Sequence, residues 1–572
     1  FMFIRTSKSK TSNKTYVYLV ESYRDKNGKP KQRVIDNLGI LEELEKDNPN
    51  ILKKLKLEAK QRKGSILSVD IDTTQTNDEA DNLINYGYFF LEGLYHSLKI
   101  DDFIKGAVKP FKFKYDLNEL FKLLVISRIL NPASKKDTYE KRVRFFDDFN
   151  FSLDDTYRSL DVVNEIKEDL QLHIHDEIKK QYLRDCTLIF YDVTNYYFET
   201  ENEDELRAKG LSKENRKSSI VQMGLFIDNN GIPIAYQLFR GNHHDTTTLI
   251  PAMNKLKENY ALEKVVLTAD KGLNSGGNLA YLKNSNNGYI VSQKIRGSRK
   301  EFINYVLDED GYVYNETGTF KMKSFIRERQ VKLKKDNQEE MFTLTEKVLC
   351  FWSKSYANRE ANKRGDIEEL IQTFLNNPSR YKASNSFGVK KYLKQIEIDD
   401  ETGEVSDAKY KLHFNQDKYD RDKALDGYYC IITSELDFTE KEIIQKYRGL
   451  WRIEESFRVM KSDLEGRPVH VWTPNHIEAH FLICFVALVI SRILQFKLGY
   501  RHSVKRMQEV LNGANCLPIN KELYVLEKRD PVYNEIEKLF NVSLDLKYAR
   551  VEEMRKYKKA IFHYKKYNDK KQ

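Results

Sequence analysis

Residues 439–461 read TEKEIIQKYRGLWRIEESFRVMK. Thr439 followed by Glu442 is a capping-box pair, and the stretch after it holds no Pro and a single glycine, Gly449, so the pattern predicts one helix. Tyr447, Glu454 and Lys461 stand seven residues apart. That spacing is close to two helical turns, so the three share a face with about 20° of drift per step. At about 1.5 Å per residue they line a row roughly 20 Å long: a phenol, a carboxylate and an ammonium. A solvated face laced with i,i+4 ion pairs is the plain alternative. The company this stretch keeps decides between the two.

Upstream, CTLIFYDVTNYYFE (186–199) is an apolar, aromatic strand with Asp192 inside it. SSIVQMGLFIDNNG (218–231) and IPIAYQLFRGN (232–242) come next as strands joined at a tight NNG turn. A helix over 246–260 leads to KVVLTADKG (264–272), a strand ending at Asp270; a helix over 276–284 and the strand GYIVSQ complete the set. Three strands in meander, then helix–strand–helix–strand, predict an α/β fold with a mixed sheet. Ligands gather at strand ends in such sheets. An acid inside an apolar strand is costly unless it is paired or binds a cation. Asp192, Asp270 and Glu454 would make a three-carboxylate cluster. Carboxylate oxygens are hard ligands, suited to Mg²⁺ or Mn²⁺ and not to zinc. Two such ions about 4 Å apart can activate a water and stabilise the leaving oxygen of a phosphodiester. Lys461 and Tyr447 could then hold a flanking phosphate.

The chain has 572 residues, enough for several domains, and a net charge of +10 from 96 Lys and Arg against 86 Asp and Glu. From Lys547 to the end there are ten Lys or Arg and three Asp or Glu. The start is basic too, through Arg5, Lys8, Lys10, Lys14, Arg24, Lys26, Lys29, Lys31 and Arg33. Basic ends interleaved with Tyr fit a polyanion, nucleic acid first, and equally a lysine-rich soluble protein. The five cysteines are scattered, which argues against a disulfide framework or zinc site and for a reducing cytoplasm. The apolar run FLICFVALVI (481–490) is too short to span a bilayer and reads as part of a buried helix. TYVYLVESY (15–23), the turn-like DKNGK and QRVIDNLG predict a basic hairpin. A charged helical stretch (41–63), a polar linker (68–80) and a helical region (82–180) come after it. In that region RILNPASKK sets Arg128 and Lys135 about Pro132, either as a backbone-phosphate contact or as a plain helix-stop loop.

YDVTNYYFE, VVLTADKGLNS and the Y-x6-E-x6-K helix followed by RPV resemble the DDE transposases of bacterial insertion sequences, in the insertion-sequence-four superfamily. The resemblance runs in order over most of the chain, including GLFIDNNGIPIAYQLFRGN and HIEAHFLICFVALVISRIL. It implies a multidomain α/β fold: a ribonuclease H-like mixed-sheet core interrupted by a β-rich insertion, a helical N-terminal region and a helical tail. The expected divisions are a DNA-binding hairpin and helix (1–65), a helical DNA-binding domain (80–183) and the catalytic core (184–296 and 426–500). A β-rich insertion (297–425), with an acidic turn near DDETGE, separates the halves of the core, and a basic helical C-terminal region (501–572) closes the chain. Asp192, Asp270 and Glu454 match the family's catalytic metal ligands for two Mg²⁺ ions, with Mn²⁺ as a substitute. Tyr447 and Lys461 match its end-binding phosphate contacts. Leu450 stands where the pattern has Arg, and Arg448 and Arg452 flank it about 200° away on the helix. Arg467 of RPV joins the DNA-binding set. Some relatives stack a Trp on a flipped base; Trp352 is the candidate here, with core packing as its other role. The implied partners are double-stranded DNA, at transposon ends and target, and a second copy of the chain in a synaptic dimer, with no membrane. The implied place is the bacterial cytoplasm, at the nucleoid. A nuclease that cuts without joining, and a DNA-binding protein that has lost catalysis, are the alternatives.

Overall fold

The computed structural model describes residues 2–9, 14–24, 29–47, 50–61, 83–111, 113–210, 218–335, 338–377, 380–381, 388–396, 411–520, 522–527 and 529–563. The polar linker at 68–80, the hairpin turn at 25–28 and the acidic turn at 399–404 lie outside them. The chain forms two units, Phe1–Ala80 and Asp81–Gln572.

In the first unit the expected hairpin is a three-stranded antiparallel sheet, because Met2–Lys8 pairs along Thr15–Arg24, which pairs with Pro30–Ile40. Val17 and Leu19 form its core with Ile4, and two helices, Leu41–Asp47 and Ile51–Gln61, complete the unit's described elements.

The second unit is built on a nine-stranded sheet. Its strands are β1 (Leu188–Tyr197), β2 (Ile220–Asp228), β3 (Pro233–Arg240), β4 (Val266–Ala269) and β5 (Gly288–Ser292). They continue as β6 (Val313–Tyr314), β7 (Phe320–Lys335), β8 (Gln338–Ser353) and β9 (Tyr428–Thr433). The spatial order is β6-β7-β8-β9-β5-β4-β1-β2-β3. β1, β4 and β5 run parallel, and the meander β1-β2-β3 is antiparallel. The parallel steps are bridged by the helices Asp245–Tyr260 and Gly276–Asn284, the crossovers that parallel pairing requires.

The segment 297–425, expected as an insertion, contributes the β7–β8 hairpin, whose strands have 16 residues each and extend the core sheet through β9. The helix Lys354–Asn376 and the strand pair Leu393–Ile396 and Lys411–Phe414 gather a small core of their own around Tyr392 and Tyr419.

Side chains of β1 alternate between two cores. Ile189, Tyr191 and Val193 pack under the crossover helices; Leu188, Phe190 and Tyr196 pack under the helical layer. That layer includes α1 (Leu117–Leu130) and the long apolar helix Pro474–Lys497. The latter is the one described helix long and apolar enough to cross a membrane, and 94% of its apolar window is buried inside the fold.

The C-terminal region is not purely helical. Asn515–Asn520, Leu523–Leu526 and Tyr548–Arg550 are strands, and the first pairs with Ile84–Asn85 at the far end of this unit's sequence. They are three to six residues long, too short for a period-two pattern to stand out.

Candidate active site

The signature stretch is not one regular helix. The capping box forms as expected, with Thr439 Oγ1 accepting from the Glu442 N–H and the Glu442 carboxylate accepting from the Thr439 N–H. The helix then runs as α2 (Glu440–Arg448), tightens at Gly449–Leu450 and resumes as α3 (Trp451–Arg458). The tight turn is made by N–H groups of Gly449 and Leu450 donating three residues back, to Lys446 and Tyr447. Val459–Asp463 then widens into a π turn, closed by the Leu464 N–H on the Val459 carbonyl. The even seven-residue row is therefore broken twice.

Gly449 shows why the first break is there. A Cβ on it would stand 2.5 Å from Cζ of Phe190, so only glycine lets the helix lie this close to β1. At the other end, Lys461 donates to the Thr194 hydroxyl and stands 5.6 Å from the Tyr196 ring, and the Tyr196 hydroxyl contacts Met460 Sδ. Phe190, Asp192, Thr194 and Tyr196 share one face of β1. The contacts at Phe190 and Thr194 bracket Asp192, as Gly449 and Lys461 bracket Glu454. The helical stretch thus crosses β1 about Asp192, with Glu454 on the segment between its two contacts.

Asp270 enters from the neighbouring strand. β1 and β4 pair Leu188 with Val266 and Phe190 with Thr268, and the same register carried two residues on sets Asp192 level with Asp270. β4 and β5 pair Ala269 with Val291, and the next residue, Ser292, donates its hydroxyl to Asp270 at 3.1 Å. Tyr447 hangs over this row from α2. Its hydroxyl is 2.8 Å from that of Tyr429 on β9. Burial first, and the Tyr429 hydroxyl second, push the Tyr447 pKa well above the usual phenol value, so it stays a protonated donor.

Glu454 is exposed and Asp192 and Asp270 are partly so. Among the described residues, no three Asp, Glu, His or Cys side chains stand close enough to hold an ion as they are. Three like charges repel, and an open arrangement lowers that repulsion. The donor set itself, carboxylates inside one strand, at the end of its neighbour and on a helix packed against them, is the hard-oxygen kind that suits magnesium or manganese.

The remaining sequence candidates divide. Arg467 lies just beyond the π turn, its guanidinium 5.6 Å from the ring of Tyr197, the last residue of β1. Arg128 and Lys135 are buried around a cavity that Arg467 also lines. Arg448 is exposed on α2. Arg452 turns the other way: its aliphatic chain covers Gly231 in the β2–β3 turn, and its guanidinium stands 5.4 Å from the Trp451 ring. Trp352 is half-buried on β8, its indole N–H donating to the Asp426 carbonyl at 3.1 Å, while Trp451 and Trp472 are each 50% exposed. Glu455 pairs with buried Arg492 of the long apolar helix at 3.0 Å, which anchors α3 to the helical layer.

Thr194, Ser292 and Tyr429 are absent from the sequence-based set. Thr194 could have been found, since it sits two residues beyond Asp192 on the same strand face. Ser292 and Tyr429 carry no spacing signal; only strand pairing brings them here.

Known proteins share parts of this chain. The family model described as "Transposase DDE domain" matches residues 189–490, and that of the "IS1634 family transposase, N-terminal domain" matches residues 4–66. No curated protein matches the chain. Among solved structures, the cryo-EM structure of the piggyBac transposase synaptic complex with hairpin DNA is similar at a TM-score of 0.33 and 9% identity, over 83% of this chain and 84% of that one. The Mos1 transposase paired-end complex with the left transposon end gives 0.14 and 13%, over 31% and 59%. Neither likeness is close enough to carry an argument. The family model is enough: running from β1 into the long apolar helix, over more than half of the sequence, it shows that the chain belongs to the DDE transposases of insertion sequences and is a DNA transposase.

Proposed function

We propose that this transposase binds the terminal repeats of its element as double-stranded DNA, cuts the backbone there and joins the freed 3′ end to target DNA. In the first step a water oxygen bonds to phosphorus as the P–O3′ bond breaks, leaving a 3′-hydroxyl. In the second that hydroxyl attacks a target phosphodiester and displaces its 3′ oxygen. Asp192, Asp270 and Glu454 are the residues that would hold two divalent ions, Mg²⁺ or Mn²⁺. Such ions, when bound, supply activation of the attacking oxygen and stabilisation of the leaving one. The chain's own groups bind and orient. Ser292 fixes one oxygen of Asp270. Thr194 holds the Lys461 ammonium beside Asp192, where it meets a flanking phosphate as a charged donor. Tyr447, kept protonated, donates to a neighbouring phosphate oxygen. Arg448 and Arg467 add backbone contacts at the rim. Leu450, which is buried, offers no contact of its own.

The observation that carries this reading is the bracketing of Asp192 by Phe190–Gly449 on one side and Thr194–Lys461 on the other. A protein that only bound DNA would have no use for three acids beside its phosphate path. The active unit is a synaptic dimer, working at the bacterial nucleoid in the cytoplasm. The test is purified protein with Mg²⁺ or Mn²⁺ and a labelled duplex carrying the element's terminal repeat. A nicked end and a joined product, both abolished by EDTA, are expected. Nicking without joining identifies a nuclease. Binding without nicking in either ion overturns the enzyme reading.

A further inference from the structure

Behind the π turn lies a cavity of about 190 Å³, lined by Arg128, Lys135, Arg467, His470 and His480, with Glu465 the one acid among the described lining. It lies between the end of α1, the loop after it, the segment 464–471 and the long apolar helix. Arg128 is 6% exposed and Lys135 is 5% exposed, and neither has a carboxylate at ion-pair distance among the described residues. Arg128 donates only to carbonyls, of Ala133 at 2.8 Å and of Leu464 and Glu465 at 3.5 and 3.4 Å, and its buried Nε has no partner. The Lys135 ammonium lies 3.5 Å from His480 Nδ1, while His480 Nε2 points at the Gly466 carbonyl, 3.2 Å away. If Nε2 carries the proton, Nδ1 is an acceptor and the ring is neutral.

Two buried cations that share a cavity without a counter-charge are an expensive arrangement. The protein's own carbonyls and imidazole solvate the charge but do not cancel it. We propose that this cavity is a receptor for one phosphate group, held by Arg128 and Lys135, with Arg467 at its mouth. The source of that phosphate rests on the DNA-transposing reading above. Lys461 and Arg467 stand over Tyr196 and Tyr197, four and five residues beyond Asp192. At about 3.3 Å per strand residue, the Arg467 contact at Tyr197 lies roughly 16 Å along β1 from Asp192. A DNA strand leaving the site past Lys461 would present its next backbone phosphates to Arg467 and then to the cavity. Cavity volume is not limiting, since a water occupies about 30 Å³ and several fit.

Burial first, and the Arg128 charge second, push the Lys135 pKa down to about 7. The groups that face it are Arg128, His480 and Cys484, with Arg467, His470 and Glu465 around the cavity. A lysine whose folded pKa lies below its unfolded value of 10.5 weakens the fold at pH 7 and below, and that cost fades as pH rises toward 10.5. An anion in the cavity reverses the trend by drawing a proton onto Lys135. Filling the receptor is therefore coupled to proton uptake, and weakens from pH 6.5 to 8.5. Plain attraction would go the other way, because phosphate itself gains negative charge over that range.

The test uses the full chain and its Lys135→Met variant, which keeps length and removes the buried charge. Without phosphate at pH 7 the variant should melt higher than wild type. Inorganic phosphate should raise the wild-type melting temperature, relative to chloride at equal ionic strength, and more at pH 6.5 than at 8.5. The variant should lose that response. A second arm uses terminal-repeat duplexes with one neutral methylphosphonate linkage stepped along the strand. One linkage should cost wild type about tenfold in binding, a little over 1 kcal/mol, and cost the variant nothing there. A linkage effect lost in Lys135→Met makes DNA the source; a phosphate response with no privileged linkage makes free phosphate the ligand of the receptor. Equal phosphate responses in both proteins and no privileged linkage overturn the receptor. Nicking in the same reactions reports separately on the carboxylate site, so the two readings fail independently.

Discussion

The amino end of β1 and its middle hold acids on opposite terms. At its amino end, Asp228 of β2 lies opposite Ile189 and is 1% exposed. Its carboxylate accepts from Arg184 Nε and from the N–H groups of Asn230 and Ile232, all at 2.9 Å. Level with the middle of β1, Asp270 takes one serine hydroxyl, and Glu454 stands exposed with no ion-pair partner among the described residues. The protein completes the first acid itself and leaves the others incomplete. An acid saturated by its own fold is a structural element; an unsaturated one at a strand end is where a cation and a phosphate can enter.

The comparison breaks most visibly through stability. Asp228→Ala leaves the Arg184 guanidinium buried without its partner and should cost about 3–5 kcal/mol, read from the urea unfolding midpoint. Asp270→Asn should leave that midpoint unchanged or raise it, since it removes a like charge from the site. Equal losses from the two variants would erase the distinction. Next in size is Gly449→Ala, whose Cβ must displace Phe190. It should cost about 1–3 kcal/mol of stability and lift Glu454 off β1, so cleavage should fall more steeply than DNA binding. The smallest effect is expected from Ser292→Ala. It removes one hydrogen bond to Asp270, about 1 kcal/mol, and should slow cleavage several-fold at unchanged end binding.

Much of the site is legible in the sequence because its signals are local. Asp192 interrupts an apolar strand, Asp270 ends another, and the Thr439–Glu442 cap announces the helix. The features that escape a sequence reading are non-local or depart from regular geometry. The break at Gly449 answers to Phe190, far upstream, and the π turn answers to the packing of Lys461 and Met460 on β1. The β7–β8 hairpin reads as strands in any window, but nothing local says that it extends the core sheet. Glu455 reads as a solvent-facing residue or half of a salt bridge; its partner, Arg492, lies inside the most apolar helix of the chain. RILNPASKK leaves a phosphate contact and a loop equally open, and only the fold shows that Arg128 and Lys135 are buried at a cavity.

The central claim is that Asp192, Asp270 and Glu454 act as one unit. It is tested most directly by Asp192→Asn, Asp270→Asn and Glu454→Gln, each compared with wild type for release of a 3′-hydroxyl from a terminal-repeat duplex in Mg²⁺. All three should bind the duplex and melt no lower than wild type, yet cut at least about a thousandfold more slowly, a barrier increase of about 4 kcal/mol each. The double variants should be no slower than the worst single one. A variant of any of the three that cuts at the wild-type rate would contradict the claim.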